Sequence, residues 1–91
     1  MTVQIENIHP QGDAPVHHGF TISGVTGEAQ QNVQVYYEIP LNGVQSANLR
    51  AVSDDLGNWC VAFPGDFRAG TEITAFARNG SAELAWLTRV L

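Results

Sequence analysis

Three histidines and an aspartate near the start of the chain have the strongest metal-binding character in the sequence: His9, Asp13, His17 and His18. Zinc requires three or four nitrogen, sulfur or oxygen donors that converge tetrahedrally. These residues share one stretch rich in proline and glycine, with no cysteine nearby and no helix or strand pattern to orient them. His17 and His18 are neighbours, so in an extended chain they point to opposite sides and cannot easily bind one ion. We therefore expect a solvated connecting loop and no metal requirement.

A second polar cluster contains Asp54, Asp55 and Asn58, whose oxygens are of the kind that calcium binds. Calcium prefers six to eight oxygen ligands, and the twelve-residue loop ending in glutamate that often supplies them is missing. A turn in which an aspartate side chain bonds its own backbone, with Gly57 at a special dihedral angle, accounts for the same residues. We expect the turn.

Cys60 is the only cysteine, and together with a histidine it would be a candidate nucleophile. A catalytic thiol needs an electropositive site and a third, orienting group. Alternation with Trp59 and Val61 instead points Cys60 to an outer sheet surface. The sequence also lacks a Gly-x-Ser-x-Gly motif and a phosphate-binding loop. We expect no catalytic residue, no cofactor and a non-enzymatic protein.

Length and charge limit the remaining classes of function. The 91 residues suffice for one small domain, 1–91. A formal net charge of −5 argues against binding to nucleic acid or anionic membranes. No stretch approaches the roughly 18 consecutive apolar residues of a membrane-spanning helix. The first residues lack the basic start and apolar run of a signal peptide.

Apolar and polar residues alternate with a period of two along most of the chain, as between Val33 and Ile39. This pattern is typical of strands, and Asn-Gly, Gly-Asp and Pro-Gly turn signals separate the segments. Seven strand candidates follow: 3–8, 20–25, 33–39, 47–52, 59–63, 72–78 and 82–90. The sequence therefore predicts an all-β fold, an antiparallel sandwich or barrel.

The pair Asn79-Gly80 suits a two-residue type I′ hairpin turn. That turn would place Ala77 opposite Ala82 and Ile73 opposite Trp86, with these pairs facing the core. Trp59 and Trp86 would then both be buried, which argues against a sugar-binding platform. The predicted core consists of the inward positions Phe20, Ile22, Val35, Tyr37, Trp59, Val61, Phe63, Ile73 and Trp86, with Phe67 closing one end.

The pair Asn42-Gly43 is less consistent with a two-residue hairpin turn. A tight turn there would put Arg50 on the same face as Val35, which belongs to the core. We expect either a bulge or a fourth strand that crosses to the other sheet.

Four short motifs occur in the order of a known architecture: an F-x-I-x-G strand, an acidic turn into a tryptophan strand, a loop with an apolar residue before glycine, and an alanine-rich strand. They read Phe20-Thr21-Ile22-Ser23-Gly24, Asp55-Leu56-Gly57-Asn58-Trp59, Phe67-Arg68-Ala69-Gly70-Thr71 and Ile73-Thr74-Ala75-Phe76-Ala77. From about Gly19 to the end, the chain resembles the bacterial immunoglobulin-like (Ig-like) modules. The resemblance implies an Ig-like antiparallel β-sandwich of about seven strands.

Members of that family are repeated spacers in adhesins and secreted enzymes, or domains on phage head and tail proteins. The chain starts at Met1 without neighbouring repeats, which fits a virion accessory or decoration protein on the virion surface. The alternative is a spacer or ligand-binding repeat of a bacterial surface adhesin or secreted enzyme, at the cell surface or secreted. A small carbohydrate-binding domain is a third possibility.

When the seven strands are labelled A to G in chain order, strands C, F and G of such a sandwich are neighbours in one sheet. With the tight hairpin, their outward residues include Tyr36, Phe76, Ala85 and Leu87, with Leu91 near the terminus. A contiguous apolar patch usually marks an interface. We therefore expect this face to bind a protein partner or a second copy in a homo-oligomer. The alternatives are an ordinary surface or a register shifted by one residue.

Overall fold

The described part of the chain is built from strands alone. The computed structural model describes residues 3–81 and 83–91, and over these residues it contains no helix. The strands are β1 (Val3–Pro10), β2 (Val16–Thr26), β3 (Asn32–Ile39), β4 (Val44–Gln45), β5 (Leu49–Val52), β6 (Asn58–Arg68), β7 (Glu72–Arg78) and β8 (Ala85–Val90). The predicted all-β class is confirmed, with eight strands among the described residues where the pattern predicted seven.

The strands form two antiparallel sheets, consistent with a β-sandwich. One sheet has three strands in the order β1-β2-β6. The other has five strands in the order β4-β3-β7-β8, with β5 pairing with β3 on the same edge as β4. The core lies between the inner faces of the two sheets, where the alternating apolar residues meet.

The core contains most of the residues that alternation placed there. Phe20, Ile22, Val35, Trp59, Val61, Phe63 and Ile73 are buried, and Tyr37 packs half-buried against them. Phe67 closes one end as expected, with its ring centroid 5.0 Å from that of Phe20. Trp86 is the exception, since 68% of its surface is exposed.

Gly24 explains how the large indole of Trp59 fits into a thin core. The two residues lie opposite each other on β2 and β6. A Cβ at Gly24 would come within 2.7 Å of Trp59 Cζ2 and 1.9 Å of the Gln4 carbonyl oxygen. The glycine that ends the F-x-I-x-G motif is therefore required by the close approach of both the Gln4 backbone and the Trp59 indole.

The connection after β3 contains a bulge, as one of the two expectations had it. The Gly43 amide donates to the Ile39 carbonyl at 2.9 Å, so Asn42-Gly43 is not a two-residue turn. The register of β5 against β3 differs by one residue from that of β4. Arg50 consequently lies opposite Gln34 and points outward, and the strand does not cross to the other sheet.

The predicted register of β7 and β8 is wrong. Ala77 lies opposite Ala85 and Phe76 opposite Trp86, a shift of three residues; the expected pairing with Ala82 lies outside the described residues. A type I′ turn requires positive φ at both central residues, and of Asn79 and Gly80 only Gly80 has it, at 56°. Because the shift is an odd number, it exchanges the two faces of β8.

Candidate interaction surface

Three aromatic side chains form a row across the solvent-facing surface of the five-stranded sheet. Tyr36 on β3 lies opposite Phe76 on β7, and Phe76 lies opposite Trp86 on β8. The Tyr36 and Phe76 rings stack with centroids 4.8 Å apart and an interplanar angle of 16°. We call these three residues the aromatic row, and the surface that carries them the outer face.

A basic row lies on one side of the aromatic row. Gln34, two residues before Tyr36, pairs with Arg50 on β5 and with Arg78 on β7. Two of the four basic residues of the chain thus flank one glutamine on the outer face. Neither arginine makes an ion pair within residues 3–81 and 83–91, where the ion pair found is His18 Nδ1 to Asp66 Oδ1 at 3.5 Å.

A more acidic row lies on the other side, two residues beyond Tyr36. Glu38 pairs with Gln45 on β4 and with Thr74 on β7. Thr74 pairs with Thr88, and their hydroxyl oxygens are 2.9 Å apart. We call these residues the Glu38 row. In the described part of the chain the Glu38 carboxylate has no ion-pair partner either.

A small notch opens in the outer face next to Tyr36. Its volume is about 140 Å³. It is lined by Gln34, Tyr36, Asn48, Arg78 and Leu84. The notch therefore combines one cation and two amides with apolar walls, a combination that suits a carboxylate on a short aliphatic stem.

The structure brings together two of the four interface residues predicted from the sequence. Tyr36 and Phe76 point outward and touch, as expected. Ala85 and Leu87 do not join them, because they lie opposite the buried Ala77 and Ala75 on the inner face. Leu87 packs against the core instead, and so does Leu91.

Trp86 is the residue that the sequence analysis assigned to the wrong face. The segment Leu84–Leu87 has apolar residues at consecutive positions, so alternation alone does not decide which of them is buried. The available signal was the pair Ala75 and Ala77, which leaves room on the inner face for the aliphatic side chain of Leu87.

The histidines do not share a loop, contrary to expectation. His9 belongs to β1, whereas His17 and His18 belong to β2. His17 is buried and its Nδ1–H donates to the Gly12 carbonyl at 2.9 Å, while His18 is exposed, so the two do point to opposite sides. Over the described residues, no three histidine, cysteine or acidic side chains are grouped to hold a metal ion.

The segment after β5 is the turn expected from its residues. Asp54 Oδ1 accepts hydrogen bonds from the Leu56 and Asn58 amides, each at 2.9 Å. Gly57 has a positive φ of 83°, which favours glycine. Asp55 Oδ1 accepts a hydrogen bond from Gln30 Nε2 at 2.7 Å, so both carboxylates are used in local structure.

The remaining candidates lie apart from the outer face. Cys60 is exposed on the three-stranded sheet, opposite Ser23. Trp59 is only 3% exposed and is closed to any ligand, although its buried Nε1 has no partner within the described residues. Burial raises the pKa of Tyr37, whose ring packs edge-on against Phe20 and Phe63.

An open groove lies at one end of the sandwich. Its volume is about 810 Å³, and it lies between the β3–β4 connection and the turn after β6. Leu41 on its rim is almost fully exposed, and Phe67 lies at its floor. The groove is wide, and its lining mixes apolar residues with Asn42, Asp66, Arg68, Thr71 and Glu72.

Comparisons with protein families, curated proteins and solved structures find no match to this chain. The described residues also contain no helix long and apolar enough to cross a membrane.

Proposed function

We propose that the chain is a non-enzymatic Ig-like structural and interaction module that binds a protein through its outer face. The observation that carries this proposal is the aromatic row, in which three rings stand side by side on an exposed sheet surface and Trp86 is 68% exposed. Aromatic residues are enriched at the centres of interfaces, and a contiguous apolar patch on a small domain usually marks a binding surface.

The Ig-like assignment is supported by the strand order. The order β1-β2-β6 in one sheet and β3-β7-β8 in the other corresponds to the A-B-E and C-F-G orders of immunoglobulin sandwiches. The two short strands β4 and β5 lie beside β3, on the edge where extra strands occur in variable-type domains.

We infer an accessory or decoration protein of a phage particle, located on the virion surface, as one context in which bacterial Ig-like modules with these motifs occur. The alternative is a spacer repeat of a bacterial adhesin or secreted enzyme. One observation favours the alternative: Val3 lies beside Thr26 and Leu91 beside Thr71, at opposite ends of the 37 Å long sandwich, as a spacer requires. The length of the native open reading frame separates the two contexts.

Carbohydrate binding has weaker support than protein binding. Stacking on a sugar requires an open aromatic ring face. Tyr36 and Phe76 each cover one face of the other's ring at 4.8 Å, so in the aromatic row the exposed indole of Trp86 is the ring on which a sugar could stack. Ring edges carry partial positive charge and suit contacts with carbonyl, carboxylate and aliphatic groups of a protein.

Oxidative footprinting tests the proposal. The side chains of Trp86 and Tyr36 are expected to react less in the native assembly than in the purified chain diluted until it is monomeric. Cys60 and Leu56, which are exposed elsewhere, are the internal controls and keep their reactivity. Equal reactivity of Trp86 in the two states would overturn docking through the outer face.

A further inference from the structure

The basic row and the Glu38 row, which lie on either side of the aromatic row, are complementary to each other in charge. We propose that the outer face binds the same face of a second copy of this chain, through a two-fold axis that runs along the aromatic row. This inference rests on the proposed function, because it names the partner of the same surface. It commits to a closed dimer in which each copy uses identical residues.

The spacing along the strands makes this pairing possible. Gln34 and Glu38 lie at equal distances on either side of Tyr36, and Arg78 and Thr74 lie at equal distances on either side of Phe76. At about 3.4 Å per residue, each neighbouring row is about 7 Å from the aromatic row. A half-turn about that row reverses the strand direction and lays the basic row of one copy over the Glu38 row of the other.

Charge favours a two-fold axis along the aromatic row over an axis parallel to the strands. With the axis along the aromatic row, Glu38 of the second copy faces Gln34, between Arg50 and Arg78. With an axis parallel to the strands, the basic row would lie over itself and bring like charges together. Like charges in direct opposition are destabilising, whereas arginine and glutamate attract.

The notch adds a shape argument to the charge argument. Glu38 of the second copy reaches the outer face at Gln34, which lines the notch together with Arg78 and Asn48. The arginine and both amides can donate to a carboxylate, and the stem of the glutamate would lie against Tyr36 and Leu84. Arg78 and Glu38 both lack an ion-pair partner in the described part of their own chain, so dimer formation supplies one to each.

The aromatic row would form the centre of this interface. Packed sheets lie about 10 Å apart, a gap that large side chains from both surfaces must fill. Tyr36, Phe76 and Trp86 of each copy would meet their equivalents across the axis, and their ring edges would interdigitate. Such aromatic centres contribute most of the binding energy in many interfaces.

Charge reversal in the purified full chain, followed by sedimentation velocity over a range of concentrations, tests the proposal. The wild type is expected to show a concentration-dependent dimer. Arg78→Glu and Glu38→Arg should each weaken the dimer by about tenfold or more. Arg68→Glu and Glu6→Arg are matched controls on the other sheet and should leave dimerisation unchanged.

A mixture of the two variants gives the sharper result. In a heterodimer of Arg78→Glu with Glu38→Arg, both contacts across the axis again join an arginine to a glutamate, so the mixture should dimerise more tightly than either variant does alone. Unchanged thermal unfolding would show that both variants fold. A wild type that stays monomeric at every concentration, or a mixture that stays monomeric, would overturn the two-fold dimer. Protection of Trp86 in the native assembly would still support the proposed function in that case.

Discussion

Phe76 lies directly opposite Trp86 on the neighbouring strands β7 and β8. This single pairing determines which face of β8 is buried. It turns the indole of Trp86 to solvent beside the stacked rings of Tyr36 and Phe76, and it turns Leu87 toward the core. The outer face is therefore more aromatic, and the core more aliphatic along β8, than a tight hairpin would have made them.

The two tryptophans should differ sharply in their contribution to stability. Trp59→Ala is expected to lower the free energy of unfolding by about 3–5 kcal/mol, because it leaves a large cavity among buried side chains. Trp86→Ala is expected to change it by no more than about 0.5 kcal/mol, since the indole is mostly exposed. Chemical denaturation of both variants provides the comparison. Equal losses would mean that β8 has the opposite face buried.

Gly24→Ala should destabilise the chain although alanine is otherwise easily tolerated. The added methyl group would meet the Gln4 carbonyl oxygen and the Trp59 ring, so a loss of about 3 kcal/mol is expected from overpacking. Gly27→Ala is the matched control, because a Cβ there meets nothing within 4 Å. It should raise stability by about 0.5 kcal/mol by restricting the unfolded chain. Thermal unfolding of the two variants would distinguish packing from loss of a glycine.

Asp54 should contribute more to stability than its neighbour Asp55. Asp54→Ala removes the acceptor of two backbone amides, and a loss of about 1–2 kcal/mol is expected. Asp55→Ala removes one exposed side-chain hydrogen bond and should cost about 0.5 kcal/mol or less. Denaturant titrations measure both values. If the two substitutions cost the same, the side-chain cap formed by Asp54 does not stabilise the turn.

Tyr37 should make stability depend on pH at the alkaline end. Burial raises the pKa of its phenol above the ordinary value of 10.0, so the folded chain holds this proton more tightly than the unfolded chain does. The resulting stabilisation is fully present below about pH 10 and is lost as pH rises through the folded pKa. Tyr37→Phe should therefore show a shallower fall in unfolding free energy above that pH. Tyr36→Phe leaves the Tyr37 phenol in place and should keep the wild-type fall.

Alternation was a reliable guide where a strand has one apolar and one polar face. Strands β2, β3, β6 and β7 each have a continuous period-two pattern, and their inward residues were assigned correctly. The pattern has this strength because one face of each strand must be buried, so a slip by one residue would expose every apolar side chain.

The edge strand β8 was not predictable in the same way. β8 has apolar residues on both faces, so burial does not select one register, and the turn chemistry of Asn79-Gly80 pointed to the wrong one. His17 was also misassigned, because a histidine with a backbone hydrogen bond can be buried in a strand that begins earlier than its apolar run. The interaction surface depends on β8, which is why only part of it was found.

The pairing of β2 with β6 also affects how the chain can fold during synthesis. Ile22 and Val61 are partners about 40 positions apart, and the central strand of the three-stranded sheet needs both neighbours. Such non-local pairing slows folding, because a long loop must close before its contacts form. A nascent chain that has not yet emerged as far as β6 therefore leaves one edge of β2 unpaired and Phe20 uncovered. Uncovered apolar surface and an unpaired strand edge make that interval the one in which this small domain is most exposed to aggregation.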